Sequence, residues 1–122
     1  MTNKTILVVD DSKVSRMMIK SQIAPAQPDW EILEAASGEE ALEIVADNKS
    51  IDYFSIDLNM PGIDGLELIE KLQDDFPTKK MALLTANIQE DIFKRAMGLG
   101  AACFNKPITA KVMTEQMEYF NG

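Results

Sequence analysis

The sequence contains no histidine. That excludes a histidine general base, an imidazole-built zinc site and a phosphohistidine carried within this chain. A single cysteine, Cys103, leaves no partner for an internal disulfide and fits a reducing compartment. Positive charge is scarce: 12 Lys and Arg stand against 20 Asp and Glu, a formal net charge of −8. A surface of that sign repels nucleic acid and anionic lipid, so neither nucleic-acid binding nor membrane insertion is expected. Long apolar runs are missing as well. Ile6-Leu7-Val8-Val9 is shorter than a signal core and runs straight into Asp10 and Asp11. Nothing reaches the length of a membrane span, and the expected location is the cytoplasm. What is present, 122 residues at 46% apolar and 26% charged, suits one domain over 1–122 with a core of its own.

The run Tyr53-Phe54-Ser55-Ile56 is mostly apolar, too short for a helix, and ends abruptly on Asp57. Pro61-Gly62 and Asp64-Gly65 follow as turn signals, because Pro presets φ and Gly accepts φ > 0. Asp57 is therefore expected at the carboxyl end of a central strand. Before it, Ile6–Val9 reads as a strand covered on both faces. Asp10-Asp11-Ser12 can cap a helix over about Val14–Ala24, closed by Pro25 and Pro28. A strand at about Glu31–Ala35 is followed by Ser37-Gly38-Glu39-Glu40, a capping-box pattern opening a helix with Ala41, Leu42, Val45 and Ala46 on one stripe.

After Asp57, a helix from about Gly65 to Asp75 is capped by Asp64, and Met81–Thr85 reads as a fourth strand. Asn87 with Glu90 forms another cap pair, opening a helix striped by Ile92, Phe93, Ala96 and Met97 and ended by Gly98 and Gly100. Ala101–Asn105 is a short fifth strand, and Thr109 caps a last helix with Met113, Met117 and Phe120 at helical spacing. The methionines read mostly as gap-fillers, with part of Met113, Met117, Tyr119 and Phe120 expected at a partner surface. Strand and helix alternate five times, which predicts an α/β fold: a doubly wound parallel sheet with helices on both faces.

In such sheets ligands bind at the carboxyl ends of the strands. The strand ends carry Asp10-Asp11, Asp57, Thr85 and Asn105-Lys106, while the second strand ends in Ala35-Ala36. In the order 2-1-3-4-5 the four polar ends form one continuous rim. Three carboxylates held together repel unless a cation joins them, and oxygen ligands in an open site suit Mg²⁺. Aspartate is an accepted phosphoryl nucleophile, and Lys106 and Thr85 could hold phosphoryl oxygens by charge and hydrogen bond. Singly, each residue has an ordinary structural reading: caps for Asp10 and Asp11, a turn Asp, a strand Thr, a surface Lys. Their placement on one rim favours the chemical reading.

The residues Asp10-Asp11, the stretch DLNMPGIDG from Asp57, Thr85-Ala86 and Lys106-Pro107 resemble the receiver domain of two-component response regulators, the chemotaxis receivers above all. The resemblance spans essentially the whole chain and implies a flavodoxin-like receiver fold without an output domain. It implies Asp57 as phosphoacceptor and Mg²⁺ (or Mn²⁺) held by Asp10, Asp11, Asp57 and the Asn59 backbone carbonyl. Lys106 would bind the phosphoryl group, Thr85 would be the switch residue, and Lys106-Pro107 a cis peptide. Such a protein is a phosphoacceptor switch, catalysing only its own phosphorylation and dephosphorylation. Its donor is a histidine kinase, a histidine-phosphotransfer protein or a small acyl phosphate. Its output is a downstream protein target bound by the last three elements, with the chain a monomer or a dimer once phosphorylated.

One position departs from the family pattern. Cys103 stands where an aromatic often sits three residues before the lysine, and Phe104 is next to it, on the opposite face by strand alternation. Three other functions compete. A phosphatase of the haloacid-dehalogenase type needs an acid two residues after its nucleophile, where this chain has Asn59. A flavodoxin-type carrier needs an anion-welcoming loop where Asp10-Asp11 stand. A phosphorylation-independent adaptor has no need of all five rim residues.

Overall fold

Each short apolar run closes as a strand because helices before and after it bring it back parallel to its neighbours. The computed structural model describes residues 3–48, 50–86 and 89–122. Its elements run β1 (Thr5–Val9), α1 (Lys13–Ala26), β2 (Glu31–Ala35), α2 (Gly38–Asp47), β3 (Tyr53–Asp57), α3 (Gly65–Asp75), β4 (Lys80–Thr85), α4 (Glu90–Gly98), β5 (Ala102–Asn105) and α5 (Ala110–Asn121). The five strands form one parallel sheet in the order β2-β1-β3-β4-β5. Fold class and strand order are those expected.

Strand alternation divides the core in two. Leu7, Val9, Phe54, Ile56, Met81 and Leu83 pack under α2, α3 and α4. Ile6, Val8, Ala82 and Leu84 pack under α1 and α5, against Ile19, Ile23, Met113 and Phe120. These strand residues are almost wholly buried, which explains runs without polar alternation.

Local chemistry sets the boundaries. Ser12 caps α1 by accepting from the Ser15 N–H at 3.2 Å, Thr109 caps α5 from Val112, and Asp64 with Glu67 makes a full capping box on α3. Gly65 is required where α3 starts: a Cβ there would meet the Asp57 carbonyl oxygen at 2.5 Å. Gly62, at φ +80°, allows the chain to turn after Pro61.

Five expectations need correction. Pro25 does not close α1 but lies in its last turn. Its missing N–H removes one bond, and the helix still ends with the Gln27 N–H donating to the Ile23 carbonyl at 2.8 Å. At α2, Ser37 accepts from the Glu40 N–H, but the Glu40 carboxylate reaches back to the Ala36 N–H rather than to Ser37, so the box is skewed by one residue. The N-cap of α4 is Gln89, without a side-chain cap bond, and Asn87 lies outside the described residues.

The stripe on α4 is only half used. Ala96 is buried, whereas Phe93 and Met97 are 45% and 55% exposed. The helix lies over the sheet edge formed by β5, where little surface is available to cover them. On α5, by contrast, Met113, Met117 and Phe120 are buried against the sheet, so these three are core and not a partner surface.

Candidate functional site

Register builds the site. Val9 pairs with Ile56 and Ala35, so the next residue, Asp10, emerges beside Asp57. Thr85 pairs with Asn105, which puts Lys106 just past the end of β5, its N–H donating to the Thr85 carbonyl at 2.8 Å. Four strand ends thus deliver their polar residues to one rim.

Asp10 and Asp57 are almost completely buried, and Asp11 is exposed. Carboxylate oxygens of the three lie within 4.8 Å of one another. The Lys106 ammonium spans two of them, 3.0 Å from Asp10 Oδ2 and 3.1 Å from Asp57 Oδ1. Asp10 Oδ1 accepts from the Ser12 N–H at 2.9 Å, a turn that fixes its side chain at the start of α1.

The electrostatics follow. Burial pushes the Asp57 carboxyl above its ordinary 3.8, and the Asp10 charge adds to the rise against the hydrogen bond from Lys106. Burial works against the Lys106 ammonium, but the bonds to Asp10 and Asp57 outweigh it and raise its pKa above 10.5. The lysine is therefore a fixed cation at any physiological pH.

This donor set fits a divalent ion. Oxygens about 2.1 Å from Mg²⁺ on opposite sides are about 4.2 Å apart, so carboxylates already within 4.8 Å close on it with little movement. Two of them already hold a cation, the Lys106 ammonium. Hard oxygen ligands, one of them exposed, leave room for water in the shell.

Other expected site residues sit around this core. Asn59 is exposed in the turn after Asp57 and, with Leu58, Thr85, Ala86, Gln89 and Ile92, lines a cavity of 280 Å³. Thr85 is buried, on the Met81 and Leu83 side of the sheet, whereas Lys106 emerges on the Phe104 side. The Lys106-Pro107 bond is cis.

Cys103 and Phe104 do part to opposite faces. Cys103 is half-buried against the α4 side, and burial raises its thiol pKa, which suits an inert packing residue. Phe104 packs against Tyr119 on the α5 side, ring centroids 5.9 Å apart. Phe104 is thus not on the Thr85 face and does not replace the missing aromatic there.

Sequence reasoning does not reach Arg16. On α1 its Nη1 donates to the Asp10 backbone carbonyl at 2.6 Å and its Nε to Glu34 on β2 at 3.1 Å. No motif signals a bond to a backbone carbonyl. Only the adjacency of α1 to β2 reveals it.

These features define a receiver domain, and the family model for the response regulator receiver domain matches residues 6–118. The chain belongs to that family. It is 31% identical over 116 residues to the chemotaxis protein CheY homolog of Campylobacter jejuni, covering 93% of this chain and 88% of the relative. It is also 31% identical to the chemotaxis protein CheY1 of Helicobacter pylori, covering 96% of each. Among solved structures, chemotaxis protein CheY4 of Vibrio cholerae superposes with a TM-score of 0.86 at 24% identity, covering 98% of this chain and 99% of that one. The CheX–CheY–BeF3–Mg complex of Borrelia burgdorferi gives 0.85 at 25% identity, covering 96% and 89%. The protein is a CheY-like receiver of two-component signalling. None of the helices among the described residues is long and apolar enough to cross a membrane.

Proposed function

We propose that this receiver domain is a response-regulator switch operated by phosphorylation of Asp57. The observation that carries the reading is the convergence of Asp10, Asp11 and Asp57 with Lys106 bonded across two of them. A carboxylate oxygen of Asp57 attacks the phosphorus of a phosphohistidine on another protein. The P–N bond breaks, its electron pair leaves on the imidazole nitrogen, and an acyl phosphate forms on Asp57. Because the chain has no histidine, the donor is a histidine kinase or a histidine-phosphotransfer protein, with a small acyl phosphate as a substitute.

Asp10, Asp11, Asp57 and the Asn59 carbonyl would hold Mg²⁺ or Mn²⁺, whose charge offsets the repulsion between the acids and the incoming phosphoryl oxygens. The Borrelia relative's complex with BeF3 and Mg supports that assignment. Lys106 turns its ammonium from the carboxylates toward a phosphoryl oxygen, and the Thr85 hydroxyl takes another. Thr85 ends β4 and Lys106 follows the end of β5, the two joined by the Lys106 N–H to Thr85 carbonyl bond. Their engagement shifts the population toward a second arrangement of the rim at Ala86 and Pro107.

The readout face is α4, β5 and α5, where Phe93 and Met97 already stand exposed for a protein target. With Cys103 in place of an aromatic, the signal reaches that face through the backbone and α4 rather than through a swinging ring. The effect passes to a partner protein through that face, the chain acting as a monomer or as a dimer once phosphorylated.

Incubation with an acyl phosphate, followed by intact mass, tests the proposal. One added phosphoryl group that requires Mg²⁺ and is lost in Asp57→Asn is the predicted result. Sustained turnover of phosphoesters, or no labelling at all, contradicts it.

A further inference from the structure

We infer that Arg16 is a positioning residue for the divalent-ion site, pinning the peptide that joins Asp10 to Asp11. The inference rests on the phosphoacceptor reading above and adds a residue that the acidic motif does not contain. Arg16 Nη1 donates to the Asp10 carbonyl oxygen at 2.6 Å, a short, charge-assisted bond. That oxygen belongs to the planar peptide whose nitrogen is Asp11's. Fixing it fixes the direction from which the Asp11 side chain leaves the backbone. On the other side of the same loop, Asp10 donates its N–H to the Ala35 carbonyl at 3.1 Å, and Ser12 donates to Asp10 Oδ1 at 2.9 Å. Arg16 supplies the bond those two do not.

The guanidinium is itself held. Its Nε bonds Glu34 Oε1 at 3.1 Å, and Lys20 Nζ meets Glu34 Oε2 at 2.9 Å. The Arg16 side chain is 15% exposed, so it is a packed element rather than a solvated charge. Glu34, its carboxyl held below the usual range chiefly by the Lys20 hydrogen bond, is a fixed anion for the fork. Two acceptors on two different nitrogens is a geometry that a lysine ammonium at this position cannot reproduce.

Charge and geometry make opposite predictions, which gives the test its sign. Removing a cation next to an acidic site should tighten Mg²⁺ if electrostatics dominate. Loss of the pinned peptide should weaken it. The protein is titrated with Mg²⁺ by calorimetry, and amide hydrogen exchange is followed without metal. Arg16→Met should weaken Mg²⁺ about tenfold, the low end for residues that orient metal ligands. Exchange at Ser12 should rise in the same variant. Arg16→Lys keeps the charge and should weaken binding too.

Urea unfolding of each variant separates a local effect from loss of the fold. Unchanged or tighter Mg²⁺ binding in folded Arg16→Met, or full affinity in Arg16→Lys, overturns the inference. If wild type itself neither binds Mg²⁺ nor is phosphorylated, the parent reading fails instead, and the two outcomes are distinct.

Discussion

Lys106→Met removes one cation from between two buried carboxylates and leaves the side-chain volume nearly unchanged. Lys106 lies 3.0 and 3.1 Å from Asp10 and Asp57, which are almost inaccessible to water. Breaking a wholly buried pair from one side costs about 3–5 kcal/mol, because the remaining charge is uncompensated. Lys106 is 20% exposed and water reaches the rim, so a loss of about 2–3 kcal/mol is expected in chelator at neutral pH.

The pH dependence of that loss is specific. Asp57 has a folded pKa raised above 3.8, so its contribution to stability is full below 3.8 and declines as pH rises through the folded value. Without Lys106 that decline is larger, and the gap between wild type and variant should open as pH climbs above 3.8. Lys106 itself keeps its proton past 10.5, so the gap should close only beyond that value. Mg²⁺ should narrow it by supplying another cation to the same acids. Urea denaturation across pH, in chelator and in Mg²⁺, measures all three effects. Equal stability of variant and wild type in chelator at neutral pH would refute the electrostatic account of the site.

Three other perturbations follow from the same geometry. Asp57→Asn removes the acid whose ionisation burial opposes, so the difference in stability between it and wild type should grow in its favour as pH rises above 3.8, read from paired urea curves. Gly65→Ala forces a Cβ to within 2.5 Å of the Asp57 carbonyl and 2.8 Å of the Leu58 Cα, and should lower stability by about 1–3 kcal/mol in denaturant midpoints. Gln116 on α5 is fully buried and its carboxamide has no hydrogen-bond partner among the described residues; Gln116→Leu should raise stability by about 1–3 kcal/mol, and a drop in midpoint would show that the amide is satisfied in solution.

How much was legible in the sequence depended on whether a residue's role is local. Strands ending in Asp10, Asp57 and Thr85 announced themselves, because apolar runs stopped on polar residues and turn signals followed. Asp64 and Thr109 were readable as caps since a cap acts within one turn of its own helix. Pro25 misled because the last turn of a helix has few interior bonds for a proline to break. The stripe of Phe93 and Met97 looked like core, yet periodicity says only that one face is apolar, not that an edge of sheet is wide enough to cover it. Met113 and Met117 are buried, as gap-filling methionines are expected to be, and only their share in a partner surface falls away. Arg16 was invisible because its bond runs to a backbone carbonyl, an acceptor present at every position. The rim itself could be inferred from the strand order 2-1-3-4-5, which sets four polar strand ends side by side, whereas the register that brings Asp10 beside Asp57 is seen only in the structure.

Whether Asp57 is the nucleophile, aided by the acids beside it, is tested most directly by trapping. After exposure to an acyl phosphate, borohydride reduces a phosphorylated aspartate to homoserine, which peptide mass spectrometry locates. The account predicts homoserine at position 57 alone, formed with Mg²⁺ and absent in chelator. Homoserine at another position, or equal yield at position 57 with the metal removed, would contradict it.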